Sequence, residues 1–172
     1  IPHAYHTRVA WAIIEVYKHT NDKRYKIAAK KNILHVLSLA KRNGWFCEMN
    51  FGEEQQPLTH AIAYTLRGLI ESSFLLGEDI NKDIIDKVTR ASENIMRRFE
   101  LNKEKPYLMP LFLPATLDEN WNSNENYSCL TGNAQIAVIW LKLYKINGDA
   151  RFLNAALKII DQLKMIQNLH TK

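Results

Sequence analysis

The chain has 172 residues, of which 47% are hydrophobic and 24% charged, a balance that suits one soluble globular unit with a real core and excludes a disordered chain. Its 23 Lys+Arg against 18 Asp+Glu give a net charge of +5. The surplus is scattered over Lys23-Arg24, Lys30-Lys31 and Arg97-Arg98, with no basic-aromatic or helix-turn-helix pattern, so neither nucleic acid nor, lacking an apolar run near ~20 residues, a membrane is expected as a partner.

Hydrophobic spacing is helical nearly throughout. Val9, Ala10, Ile13, Ile14, Val16 and Tyr17 predict a first helix over about Ala4 to His19. Asn21-Asp22 supplies a turn and an N-cap, and Ala28, Ala29, Ile33, Val36, Leu37 and Ala40 carry a second helix to a stop at Asn43-Gly44. After a loop from Trp45 to Pro57 the pattern returns, with a helix from about Leu58 to Leu76, Gly77 as stop, and a helix from about Lys82 to Glu100. A third pair runs from Thr131 to Ile146 and from Ala150 to Asn168 around Gly148-Asp149. The short turns make each pair an antiparallel αα-hairpin, giving hairpins over about 4–42, 58–100 and 131–168 of a single domain spanning 1–172.

Tyr17-Lys-His-Thr-Asn-Asp-Lys-Arg-Tyr25 aligns without a gap on Tyr144-Lys-Ile-Asn-Gly-Asp-Ala-Arg-Phe152. A helical hairpin repeated in this way predicts an all-α fold of the toroid or solenoid kind, because one hairpin cannot bury its apolar faces alone. The less charged helix of each pair (first, third and fifth) is expected to line a central cavity, with the charged partners facing water. Three hairpins make part of an α/α-toroid, an arc of an incomplete six-hairpin barrel. The rest of the ring then comes from a longer chain or from a second subunit. The opening Ile1-Pro2-His3, without Met, fits a processed chain or an excised piece.

Tyr5-His-Thr-Arg-Val-Ala-Trp-Ala12, Gly44-Trp-Phe46, Pro57-Leu-Thr-His-Ala-Ile-Ala-Tyr-Thr-Leu-Arg-Gly-Leu69 and Cys129-Leu-Thr-Gly-Asn-Ala-Gln135 resemble an uncharacterised bacterial family. That family belongs to the α/α-toroid superfamily of terpenoid cyclases and protein prenyltransferases, and is similar to proteins associated with polysaccharide biosynthesis. The resemblance implies the toroid fold and a carbohydrate-related role. It implies no reaction, since one fold hosts many chemistries.

The residues narrow the chemistry further. Neither an Asp-x-Asp-Asp cluster nor an Asp-rich metal motif is present, which disfavours terpene cyclisation. Cys47, Cys129 and His60 could converge as zinc ligands, but the neighbouring Cys-His pair of such sites is absent; buried core cysteines are the plainer expectation, and no metal or cofactor is assigned. Two cysteines outside any CxxC pair fit a reducing, cytoplasmic setting.

Aligning the three cavity helices on their turns makes Arg8, Tyr64 and Gln135 equivalent, with His60 and Thr131 one turn earlier and His6 matched to Asn133. They predict a polar layer, either satisfying buried carbonyls or binding a ligand. Two long loops, 44–57 and 101–128, carry aromatics beside acids. Trp45, Phe46, Glu48, Phe51, Glu53 and Glu54 lie in the first, and Tyr107, Phe112, Asp118, Glu119, Trp121 and Tyr127 in the second. Such rims suit a glycan, whose C–H faces stack on rings while its hydroxyls bond carboxylates.

Three readings follow: a carbohydrate-active enzyme, a non-catalytic glycan-binding or assembly component, and a helical-repeat scaffold for proteins. A hydrolase would pair Glu48 with Asp118 as the two carboxylates. A lyase or epimerase acting on uronic acids would use His60 and Tyr64 as base and acid, with Arg8 or Arg67 holding the substrate carboxylate, and His6, Trp45, Trp121, Asn133 and Gln135 as further substrate contacts. A non-catalytic helical-repeat scaffold for protein assembly is the alternative. Arg67 and Glu71, four apart, also read as an intrahelical ion pair, and Trp11, Trp140, Tyr17 and Tyr144 as core.

Overall fold

The computed structural model describes residues 3–52, 56–101 and 112–167. A short 3-10 turn, Ala4–His6, leads into α1 (Thr7–Thr20), followed by α2 (Lys23–Ser38), α3 (Thr59–Ser73), α4 (Glu78–Leu101), α5 (Leu130–Asn147) and α6 (Ala150–Ile166). No strand occurs among the described residues, so the chain is all-α. No described helix is long and apolar enough to cross a membrane.

The sequence repeat is also a structural one. At the α1–α2 turn Asn21 takes a left-handed φ of 54° and donates its N–H to the Tyr17 carbonyl, while the Asp22 carboxylate caps the Arg24 amide at 2.9 Å and pairs with its guanidinium at 2.6 Å. At the α5–α6 turn Gly148, φ 74°, donates to Tyr144 O, and Asp149 caps and pairs with Arg151 at the same two distances. The arginine side chain, and then its amide, hold both carboxyls below the usual range.

Two boundaries differ from expectation. α4 begins at Glu78, a turn before Lys82, because the Asn81 N–H reaches the Gly77 carbonyl at 2.9 Å and Glu78 and Asp79 favour the positive end of the helix. α2 stops at Ser38 rather than at Asn43-Gly44. There the chain doubles back, with Lys41 N–H on Trp45 O at 2.7 Å and Cys47 N–H on Leu39 O at 3.0 Å.

The first helices of the three hairpins lie side by side, α3 between α1 and α5, and α2, α4 and α6 each pack against their own partner. Two glycines permit the close approaches. A Cβ on Gly68 would lie 2.4 Å from the Thr7 backbone, and one on Gly132 would lie 2.7 Å from the His60 amide nitrogen. The Thr7 hydroxyl fastens the first crossing by donating to Thr65 O at 3.0 Å. Around α3 the core closes over Leu66, Leu69, Ile70, Ile95, Phe99 and Trp140, all at most 1% exposed.

Part of the loop expected to form an open rim is a buried strap. Residues Phe112 to Leu117 are all buried and run across the starts of α3 and α5. The Thr59 N–H and hydroxyl donate to Ala115 O (2.7 Å) and Pro114 O (2.5 Å), while Asn133 accepts the Leu113 N–H at 2.8 Å. Glu53, Glu54 and Tyr107 lie outside the described residues.

Candidate functional face

Burial singles out one face of α3. Within Thr59–Ser73 every residue is buried except His60, Tyr64, Arg67 and Glu71, which recur at helical spacing and form one half-open stripe. Neighbouring helices extend it on both sides.

From α1, the Arg8 guanidinium lies 4.3 Å from the Tyr64 ring centre, a close cation–π geometry, and 5.9 Å from that of Trp11. From α5, Gln135 Oε1 accepts from Arg67 Nη1 at 3.0 Å, and Lys142 pairs with Glu71 at 2.9 Å. Arg67 also stands 5.4 Å from the Trp11 ring and 3.4 Å from Glu71, the expected intrahelical pair. Trp11 turns its indole N–H to Glu15 at 3.2 Å. Arg8, Tyr64 and Gln135, aligned by register, therefore do meet on one surface, joined through Arg67.

At the upper end of the stripe His60 is bracketed by Phe51 and Tyr64, with ring centres at 5.6 and 5.4 Å, and Phe51 continues to Tyr5 at 4.9 Å. Cys129 Sγ lies 3.5 Å from His60 Nδ1. Burial pushes the His60 imidazole below its ordinary value, so the ring is neutral near pH 7. His6 stacks edge-on to Tyr5 at 4.8 Å and accepts the His3 N–H at 3.2 Å through Nδ1, placing it beside this end.

Four expected site residues have other work. Trp45 and Trp121, expected as stacking platforms, are only 6% and 5% exposed. They pack edge to face at 5.1 Å, and the Trp121 indole donates to Asn43 O at 3.1 Å, so neither offers a ring to a sugar. Asp118 is a turn-former: its Oδ1 accepts the N–H groups of Asn120 and Asn122 at 2.9 and 2.8 Å, and it sets up the left-handed Trp121, φ 65°. Asn133 is wholly buried, its amide spent on Leu113 and on Cys129 O.

Glu48 has a local role of its own. It adopts φ 61°, and its carbonyl accepts the Ala4 N–H at 2.9 Å, which anchors the first loop to the 3-10 turn. No described contact joins the two carboxylates, and with the Asp118 oxygen held by amides the two-carboxylate pair has no geometric support.

Of the three possible zinc ligands only Cys129 and His60 meet, and among the described residues no three His, Cys, Asp or Glu side chains cluster as a metal site would. A groove of about 320 Å³ lies elsewhere, between α4 and the end of α2, lined by Lys41, Arg42, Asp83, Asp86, Lys87 and Arg90, and holds none of the expected site residues. No protein family, curated protein or solved structure matches this chain.

Proposed function

We propose that the three hairpins are an arc of an α/α-toroid whose concave wall is the α1–α3–α5 face, and that this wall binds an acidic, uronic-acid-containing glycan as part of polysaccharide metabolism. The observation that carries the reading is Arg8. Its guanidinium lies on the half-open face above Tyr64, and no described carboxylate lies within ion-pair distance of it. An arginine fork with no acidic partner among the described residues, set among Trp11, Tyr64 and the exposed Phe51, is suited to grip a sugar carboxylate while the rings take the C–H faces.

The catalytic form of this reading is a lyase or epimerase. His60, kept neutral by burial, would take a proton from the carbon beside the carboxylate held by Arg8, and the Tyr64 phenol would serve as acid. The hydrolytic form loses Asp118 and is not retained. Cys47 and Cys129, both free thiols, suit a reducing compartment such as the cytoplasm.

Ring completion has its own support. The exposed large apolar side chains within helices concentrate on the end hairpins, with Val9, Val16, Ile27 and Leu34 on α1–α2 and Leu130, Ile146, Leu157 and Ile166 on α5–α6, whereas α3 has none and α4 only its last residue, Leu101. Further hairpins, from a longer chain or a second subunit, would cover such edges. The same observation favours a second reading, a helical-repeat scaffold that docks proteins at those edges.

Calorimetric titration with an oligouronate and with a neutral oligosaccharide of equal length tests the proposal. Binding of the oligouronate alone, weakened at least about tenfold in Arg8→Gln, is the expected result. Equal binding of both sugars, or none of either, would remove the acidic-glycan reading and leave the scaffold.

A further inference from the structure

Cys129, which the glycan reading does not use, forms a pair with His60. Cys129 caps α5, accepting the Gly132 N–H on sulfur at 3.4 Å, and the same sulfur faces His60 Nδ1 at 3.5 Å. Three features hold the two together. The absence of a side chain at Gly132 lets the start of α5 approach the first turn of α3. Buried Asn133 ties the Cys129 carbonyl at 2.9 Å. Phe51 and Tyr64 fix the His60 ring between them.

A neutral imidazole within reach of a half-exposed thiol, itself positioned by packed rings, is the arrangement that activates a nucleophile. The rim is open, with Leu130 at 45% and Phe51 at 49% exposure. The Leu130 and Thr131 amides, in the first turn of α5, have no acceptor within the helix and can receive charge developing on an attacked carbonyl oxygen.

We propose that Cys129 and His60 form a thiol–imidazole dyad that accepts acyl groups from carboxylic esters. The thiol proton passes to His60 Nδ1 as sulfur bonds to the carbonyl carbon. The C–O bond to the alcohol breaks, and His60 returns the proton to the leaving oxygen. Water then attacks the thioester, His60 taking its proton. The C–S bond breaks, and the proton returns to sulfur, so that ester and water become acid and alcohol. This inference does not rest on glycan binding, and its test involves no sugar.

The probe is p-nitrophenyl acetate with the full chain, followed by absorbance and by peptide mass spectrometry. The expected result is a burst of about one p-nitrophenolate per chain, with the acetyl group on Cys129 rather than Cys47, and a burst rate at least about tenfold lower in His60→Gln. The rate should also fall as acid protonates His60, below the ordinary imidazole range. Acetylation spread over lysines and Cys47 with Cys129 unmodified would overturn the dyad, as would a His60→Gln rate equal to wild type. Should His60→Gln lose its helical circular dichroism, the distribution of acetyl groups on the unaltered chain still decides.

Discussion

Two clusters of aromatic and acidic residues look alike in sequence and differ in what they do. Around Trp45 and Trp121 the rings are buried against each other, and the nearby acids hold the loop: Asp118 binds two amides and Glu119 pairs with Lys41. Around Phe51, His60 and Tyr64 the rings are half open and border Arg8 and the Cys129 thiol. The difference lies in what each loop packs on. Gly44 brings the first loop onto the α4 backbone at Ala91, where it is sealed by Trp121, whereas the stripe on α3 stays half-open among the described residues. Composition marks both clusters, and only packing separates a closed clamp from a half-open face.

The comparison breaks most visibly at the clamp. Trp121→Ala should cost about 3–5 kcal/mol by chemical denaturation, because it empties a buried site and leaves the Asn43 carbonyl with the Asn94 amide as its remaining described donor, while leaving His60–Cys129 chemistry intact in the folded fraction. A loss under about 1 kcal/mol would place that ring at the surface after all.

Gly132→Ala sharpens the other side. Its Cβ would meet the His60 amide nitrogen at 2.7 Å, so α5 must shift. The expected stability loss is about 1–3 kcal/mol, together with a drop in Cys129 acetylation larger than the loss of folded protein explains. Unchanged acetylation would mean that the close approach does not set the dyad.

Smaller effects follow from titration. His60 is depressed by burial, so the unfolded chain takes up its proton first, and stability falls as pH drops from about 6.5 toward the lower folded value. His60→Gln should remove that part of the melting-temperature slope. Asp22 and Asp149 are likewise depressed, so the stability they contribute is present above about pH 4 and fades as pH falls through their folded values. Asp149→Ala should cost more than Asp22→Ala, since Arg151 also binds Glu93 at 3.2 Å, whereas Arg24 is 87% exposed.

The helices were legible because their apolar residues recur at helical spacing, and the repeated Asp-x-Arg turns because their capping chemistry is local. The register of Arg8, Tyr64 and Gln135 was legible too, as equal distances from equivalent turns. Burial of the loops was not, since Trp45 and Trp121 meet across more than seventy residues. The apolar run Phe112-Leu-Pro-Ala-Thr-Leu117 was the signal that this loop enters the core. Trp11, read as core, packs on the core at one edge and borders the open face at the other. The convergence of Cys129 on His60 was open in the sequence only as part of a three-ligand set with Cys47, and the close approach at Gly132 that brings these two together is a matter of packing.

The central claim is that the α1–α3–α5 face, and not the tryptophan clamp, is the binding surface. The four indole N–H resonances report on it directly, because Trp11 borders the face while Trp45, Trp121 and Trp140 are buried. Titration with an oligouronate should shift the Trp11 signal and leave the other three in place. A shift confined to Trp45 or Trp121 would contradict the claim.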